Sequence, residues 1–155
     1  VYLDNGQRRN EDMSELYDMI MRHEGTGPKS GTRYLPYTDT VGKLTIGYGR
    51  NLTDRGISEH EAKSFLAMDI QDTITHLHLN YRWFDRLDGV RRDAIVDMAF
   101  NLGAKKFSGF VKFIQALDRS NWPEAQQEML NSLWATQVGD RATELSEMVL
   151  TGRYR

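Results

Sequence analysis

Three residues have the types and spacing to do chemistry together: Glu24 in RHEGT, Asp39 in YTDT and Thr45 in GKLTIGYGR. Glu24 extends an apolar stripe of Met13, Leu16, Tyr17, Ile20 and Met21, at a spacing where another hydrophobe is expected. It also falls at the C-terminal end of that helix, where the macrodipole is negative. Partial burial and the dipole both disfavour an ionised carboxylate, and a carboxyl that keeps its proton near neutral pH serves as a general acid. Asp39 is placed at a strand-to-turn corner. Thr45 lies on the strand face opposite Leu44, Ile46 and Tyr48. Glycosidic cleavage commonly uses an acid, a second carboxylate and, in inverting enzymes, a water held between them. A threonine hydroxyl can hold such a water. Gly47 and Gly49 would let a bulky chain approach the strand, so that the low-bulk segment forms a cleft wall.

Each residue also has an ordinary explanation. A glutamate at a helix end is commonly solvated, an aspartate in a turn bonds nearby backbone amides, and threonine favours strands. Composition narrows the field without deciding it. A chain of 155 residues fits one domain with a real core. The net charge of −2 gives no bulk basic field for nucleic acid, so an anionic polymer would need a local basic patch. There is no cysteine, hence no disulfide or thiol chemistry, and the four histidines have no zinc-ligand spacing. No apolar run approaches the roughly 20 residues that span a bilayer. The opening VYLDNGQRRNED is polar and carries no leader pattern, and its first valine leaves room for a preceding segment.

The elements that must position the three residues follow from periodicity. Residues 1–10 are expected to fray, with Asn10 capping the first helix and Gly25 stopping it. TGPKSGTRYLP is predicted to be a loop. Short strands follow from Tyr34 to about Leu52, with Gly42 in a tight turn and Leu44, Ile46 and Tyr48 on one face. Ser58 to Glu61 has the capping-box form. The helix after it, ending near Asn80, carries Ala62, Phe65, Leu66, Asp69, Ile70, Thr73, Ile74 and Leu77 as a stripe. The remainder is predicted helical. Val90, Ala94, Ile95, Met98, Ala99 and Leu102 form one stripe before a stop at Gly103. Ser108 caps the next helix, Pro123 opens another, and a last helix runs to Gly152. Helix, small antiparallel sheet, long helix and helical bundle make an α+β fold with segregated parts.

In order along the chain, RHEG, YTDTVGKLTIGYG, VRRDAIVDMAFNLG, GF, SLWATQ and GDRA resemble the T-even phage-type lysozymes of glycoside hydrolase family 24. The resemblance runs from about Met13 to Gly152. It implies one two-lobed domain: a sheet lobe over about 25–57, a connecting helix over about 58–80, and a helical lobe over about 81–155 joined by the first helix, about 11–24. It implies a muramidase that hydrolyses the β-1,4 bond between N-acetylmuramic acid and N-acetylglucosamine in bacterial peptidoglycan, with inversion. Carried over by position, Glu24 protonates the leaving oxygen, Asp39 activates the water or stabilises oxocarbenium charge, and Thr45 holds the water. Phe100, Asn101, Trp134 and Gln137 match cleft-lining positions, although Trp134 also reads as a core aromatic. Arg141 matches a supporting position that pairs with the acid. No cofactor or metal is implied. The expected partner is peptidoglycan, with no nucleic acid and no membrane insertion, and the chain is expected to be a monomer. It is expected to be made in the host bacterial cytoplasm and released to the wall as a phage endolysin. A virion-associated lysozyme or a non-catalytic wall-binding module of the same fold are the alternatives.

The chain departs from this pattern in places. Fourteen residues lie between Glu24 and Asp39, more than in the best-known relatives, and the extra length is GPKSGTRY. That segment either rims the cleft or is an ordinary solvated loop. Arg50 stands where a histidine often follows the G-x-G, and it is expected to reach Asp69 on the long helix. Glu24, Asp39 and Thr45 are all present, which favours an enzyme over a binding module.

Overall fold

The computed structural model describes residues 5–155, with side chains from residue 13 onward. Of residues 1–10, where fraying was expected, 1–4 lie outside the described residues, while 5–10 are helical. The chain divides into two units, one up to Ala62 and one from Lys63 to Arg155.

In the first unit, helix α1 spans Asn5–Glu24. Asn10 is therefore inside the helix and not its cap, since no proline and no glycine after Gly6 interrupts the stretch. Gly25 ends it as expected: at φ +69° its amide bonds the Met21 carbonyl at 3.1 Å. The stripe Met13, Leu16, Tyr17, Ile20 and Met21 is helical, but these side chains are between 37% and 63% exposed, where a buried face was predicted. Helical spacing records an apolar stripe without recording what covers it.

The stretch predicted as a loop contains a hairpin, β1 (Lys29–Ser30) with β2 (Arg33–Tyr34). Ser30 faces Arg33 across a two-residue turn whose first residue, Gly31, has φ +57°. A positive φ there suits the primed turns that short hairpins need. A three-stranded antiparallel sheet follows, ordered β3 (Tyr37–Thr38), β4 (Leu44–Ile46), β5 (Arg50–Asn51). Gly42, at φ +83°, sits in the β3–β4 turn as predicted. The predicted continuous face through Tyr48 is not present. Ile46 pairs with Arg50, so Gly47, Tyr48 and Gly49 form a three-residue hairpin turn.

Asn51 then caps the short α2 (Leu52–Arg55) through the Asp54 amide at 2.9 Å. The capping box forms as read. The Glu61 amide donates to Ser58 Oγ at 3.2 Å and the Ser58 amide to Glu61 Oε2 at 2.7 Å. It opens α3 (Glu59–Asn80), which runs on into the second unit. Of the α3 stripe only Leu77 is buried. Ile70 and Ile74 pack partly on the core, while Phe65 and Leu66 are exposed.

The second unit is helical: α4 (Gly89–Leu102), α5 (Ala104–Ser108), α6 (Val111–Asp118), α7 (Trp122–Leu130), α8 (Leu133–Val138) and α9 (Asp140–Thr151). The α4 stripe is the core face predicted. Ala94, Ile95, Met98 and Ala99 are buried, and Val90 and Leu102 pack on their edge. Around it gather Leu77, Phe84, Phe113, Leu117, Met129 and Val149, with α7 and α9 packed together and α9 against α4. Ser108 does not cap α6. Its hydroxyl donates back to the Lys105 carbonyl at 2.8 Å and so ends α5. Pro123 opens α7 and Gly152 stops α9 in the left-handed conformation, both as expected. No helix among the described residues is long and apolar enough to cross a membrane.

Candidate active site

Asp39 is fixed by its own turn. Its Oδ1 accepts from the amides of Val41 at 3.0 Å and Lys43 at 2.8 Å. Its backbone amide donates to the Lys43 carbonyl, and the Gly42 amide to the Asp39 carbonyl, which closes the β3–β4 turn. The Lys43 amide bond is the main reason that the Asp39 carboxyl titrates below the usual carboxylate range. The Val41 amide, the Thr45 hydroxyl and the Lys43 charge add to it, against some desolvation. Asp39 is thus an anion at neutral pH with Oδ1 occupied and Oδ2 turned to Thr45. The Thr45 hydroxyl lies 3.4 Å from Oδ2 and 3.3 Å from the Lys43 carbonyl, both long contacts, and the residue is only 3% exposed. The register Tyr37 to Thr45 across β3 and β4 sets this pairing.

This arrangement has a consequence for stability. A carboxyl with a depressed folded-state pKa stabilises the fold above its unfolded value of about 3.9, and that contribution is lost as the pH falls through the lower folded value. Asp39→Asn is therefore expected to be less stable than the parent near pH 7, with the gap closing on acidification below about pH 3.9. Urea melts of both proteins across that range check this, and a gap that widens toward acid pH would contradict it.

Glu24 is exposed, where the sequence suggested partial burial. Its setting comes from the β4–β5 turn. A Cβ added at Gly49, which has φ +74°, would stand 2.8 Å from Glu24 Oε2. Gly49 is thus required twice, for its conformation and for the approach of the acid. The glycines of GKLTIGYGR lie in turns, not in a strand of low bulk, and Gly49 brings one of those turns against a carboxyl. Arg50 lies just beyond the turn. Its Nη2 donates to Glu61 Oε2 and to the Gly56 carbonyl, both at 2.9 Å, so the guanidinium is held by the start of α3.

In the second unit, Trp134 Nε1 donates to Asn101 Oδ1 at 2.8 Å. Trp134 is 4% exposed and belongs to the core, yet with Gln137 it also lines a cavity of about 690 Å³. Phe100, 38% exposed, faces elsewhere. With Ile70, Val96, Asp97 and Arg141 it borders a cavity of about 440 Å³. Arg141 Nε donates to Asp97 Oδ1 at 2.7 Å. The residues of interest therefore meet as Asp39 with Thr45, Glu24 with Gly49 and Asn101 with Trp134, while Trp134 shares a cavity with Gln137 and Phe100 shares one with Arg141. Sequence reasoning missed the Lys43 amide and the Asp97 partner. Neither has a signal in side-chain type, since one is a backbone group and the other an acid on a helix rich in charge.

The description "Phage lysozyme" fits residues 28–148, a match that takes in Asp39 and Thr45 and opens just after Glu24. Over 169 aligned residues the chain is 26% identical to "Probable T4-type lysozyme 2" of Dictyostelium discoideum, covering 90% of this chain and 96% of that protein. The companion "Probable T4-type lysozyme 1" is 24% identical over the same shares. The "Pre-baseplate central spike protein Gp5" of Enterobacteria phage T4 is 26% identical over 92% of this chain, in a match that covers 28% of that protein. With most of its length matched, the chain belongs to the phage lysozyme family, the lysozyme-like glycosidases.

Proposed function

We propose that this protein is a muramidase, hydrolysing the β-1,4 bond between N-acetylmuramic acid and N-acetylglucosamine in bacterial peptidoglycan with inversion. The observation that carries the reading is the Asp39 carboxylate, kept ionised by two amides on Oδ1 and facing the Thr45 hydroxyl with Oδ2. Glu24 donates its proton to the leaving glycosidic oxygen. Positive charge develops on the sugar ring as the bond lengthens, and the Asp39 anion stabilises it. Water held by Asp39 Oδ2 and Thr45 Oγ1 attacks the anomeric carbon from the opposite face and passes a proton to the Asp39 carboxylate as the new C–O bond forms. The lowered basicity of Asp39 supports its reading as an electrostatic stabiliser that orients the water more than as a strong base. Phe100, Asn101, Trp134 and Gln137 are proposed to contact the glycan, and Arg141 to support the site.

The resemblance favours a monomeric endolysin, made in the host cytoplasm and acting on the wall during lysis. The similarity to the phage T4 spike protein favours a second reading, the same chemistry carried on a virion. Both are tested first by digesting purified peptidoglycan and weighing the fragments. Reducing-end N-acetylmuramic acid is the expected product. Anhydro-muramic ends would instead mean a lytic transglycosylase, and intact glycan would mean a binding module.

A further inference from the structure

The turn that approaches Glu24 is built mostly of glycine. Tyr48 stands at its tip between Gly47 and Gly49, at φ +61° and +74°. Glycine is the residue least restricted in backbone conformation, so a turn with two of them needs an outside restraint to stay in one shape. A restraint is present. The Tyr48 hydroxyl shares a hydrogen bond of 2.9 Å with the hydroxyl of Tyr34, the last residue of β2. The two rings lie 5.6 Å apart between centroids and are inclined at 54°. Tyr34 is itself steadied by its β1 partner Lys29, whose Nζ lies 4.4 Å from the ring centroid. The residue after Tyr48 is Gly49, whose missing Cβ leaves the room that Glu24 Oε2 occupies. A chain of contacts thus runs from the β1–β2 hairpin through two phenols to the backbone against the acid.

We infer that the Tyr34–Tyr48 hydroxyl pair is a positioning device for Glu24, fixing the Gly47–Gly49 turn so that the carboxyl is held in one orientation toward the leaving oxygen. This rests on the reading of Glu24 as general acid. The pair does not touch the reacting atoms. It acts through the turn, and its removal should therefore lower turnover while leaving substrate affinity alone.

Tyr34→Phe and Tyr48→Phe each delete one hydroxyl and keep the ring. On soluble peptidoglycan fragments each is expected to lower kcat about three- to tenfold, short of the roughly hundredfold cost of a 1 Å misplacement. KM should stay within about twofold, as expected for a loss confined to the transition state. The double variant should be no worse than either single one, because the same bond is lost in each. Tyr154→Phe, which removes the phenol's hydrogen bond to Asp93 in the other unit, serves as the control for general loosening. A second readout needs no activity: the ¹³C resonance of the Glu24 carboxyl should move in both variants and stay fixed in the control. Unchanged kcat with an unchanged resonance would overturn the inference, and so would a rise in KM alone, which would mean that the rings meet the substrate. If the parent itself fails to cleave peptidoglycan, the muramidase reading falls, and the Glu24 resonance still decides whether the phenols set the carboxyl.

Discussion

Glu24→Gln is expected to reduce peptidoglycan cleavage by about 10²–10⁴-fold, the usual contribution of general acid catalysis. The amide keeps the shape of the side chain and can still make hydrogen bonds, but it has no proton of suitable acidity for the leaving oxygen. Glu24 is exposed at the end of α1, and Gly25 closes that helix through the Met21 carbonyl. The fold should therefore be unaffected, with helical content and urea midpoint like those of the parent. Turnover within a few-fold of the parent would remove Glu24 from the mechanism. A collapse of the urea midpoint would mean that the loss of activity was a loss of structure.

Gly49→Ala is the second large effect, and Gly47→Ala is its natural comparison. Both glycines have positive φ, so an added methyl strains either backbone by roughly 1–2 kcal/mol. The two differ in what the methyl meets. At Gly47 nothing lies within 4 Å, while at Gly49 the new carbon would be 2.8 Å from Glu24 Oε2. The carboxyl would have to turn away, and displacement of a catalytic group by about 1 Å can cost about 10²-fold in rate. Similar losses of stability are thus expected for the two variants, with the large loss of kcat confined to Gly49→Ala. Urea melts beside steady-state kinetics separate the terms. Equal kinetic losses would mean that the turn's shape matters and its contact with the acid does not.

Much of the fold was legible because its signals are local. The Ser58–Glu61 capping box, the α4 stripe and the stops at Gly25, Gly103 and Gly152 each depend on a few adjacent residues and the helical period. What failed depended on the third dimension or on backbone angles. Gly47 and Gly49 are two residues apart, which imitates the alternation of a strand, and only their positive φ reveals a turn. The α1 spacing gave a helix correctly but not its exposure, so the partly buried Glu24 that followed from it was also wrong. Arg50 needed an acid at the start of α3. The turn before that helix brings Glu61 and the Gly56 carbonyl to the guanidinium, which spacing alone did not reveal. At the candidate site it is the family resemblance that brings Asp39 and Thr45 together, since Asp39 lies outside the strands where alternation applies. The amides that make Asp39 a weak base could not be inferred, because every residue but proline carries one.

The central claim is that Glu24 supplies the proton while Asp39 and Thr45 hold the attacking water on the opposite face of the sugar. The most direct measurement is the anomeric configuration of the first product, followed by proton NMR as a β-linked peptidoglycan fragment is cleaved. Attack by a held water gives the α-anomer of the new reducing-end muramic acid before mutarotation. If the β-anomer formed first, the reaction would pass through a covalent glycosyl-enzyme, and the held water would not be the nucleophile that breaks the bond.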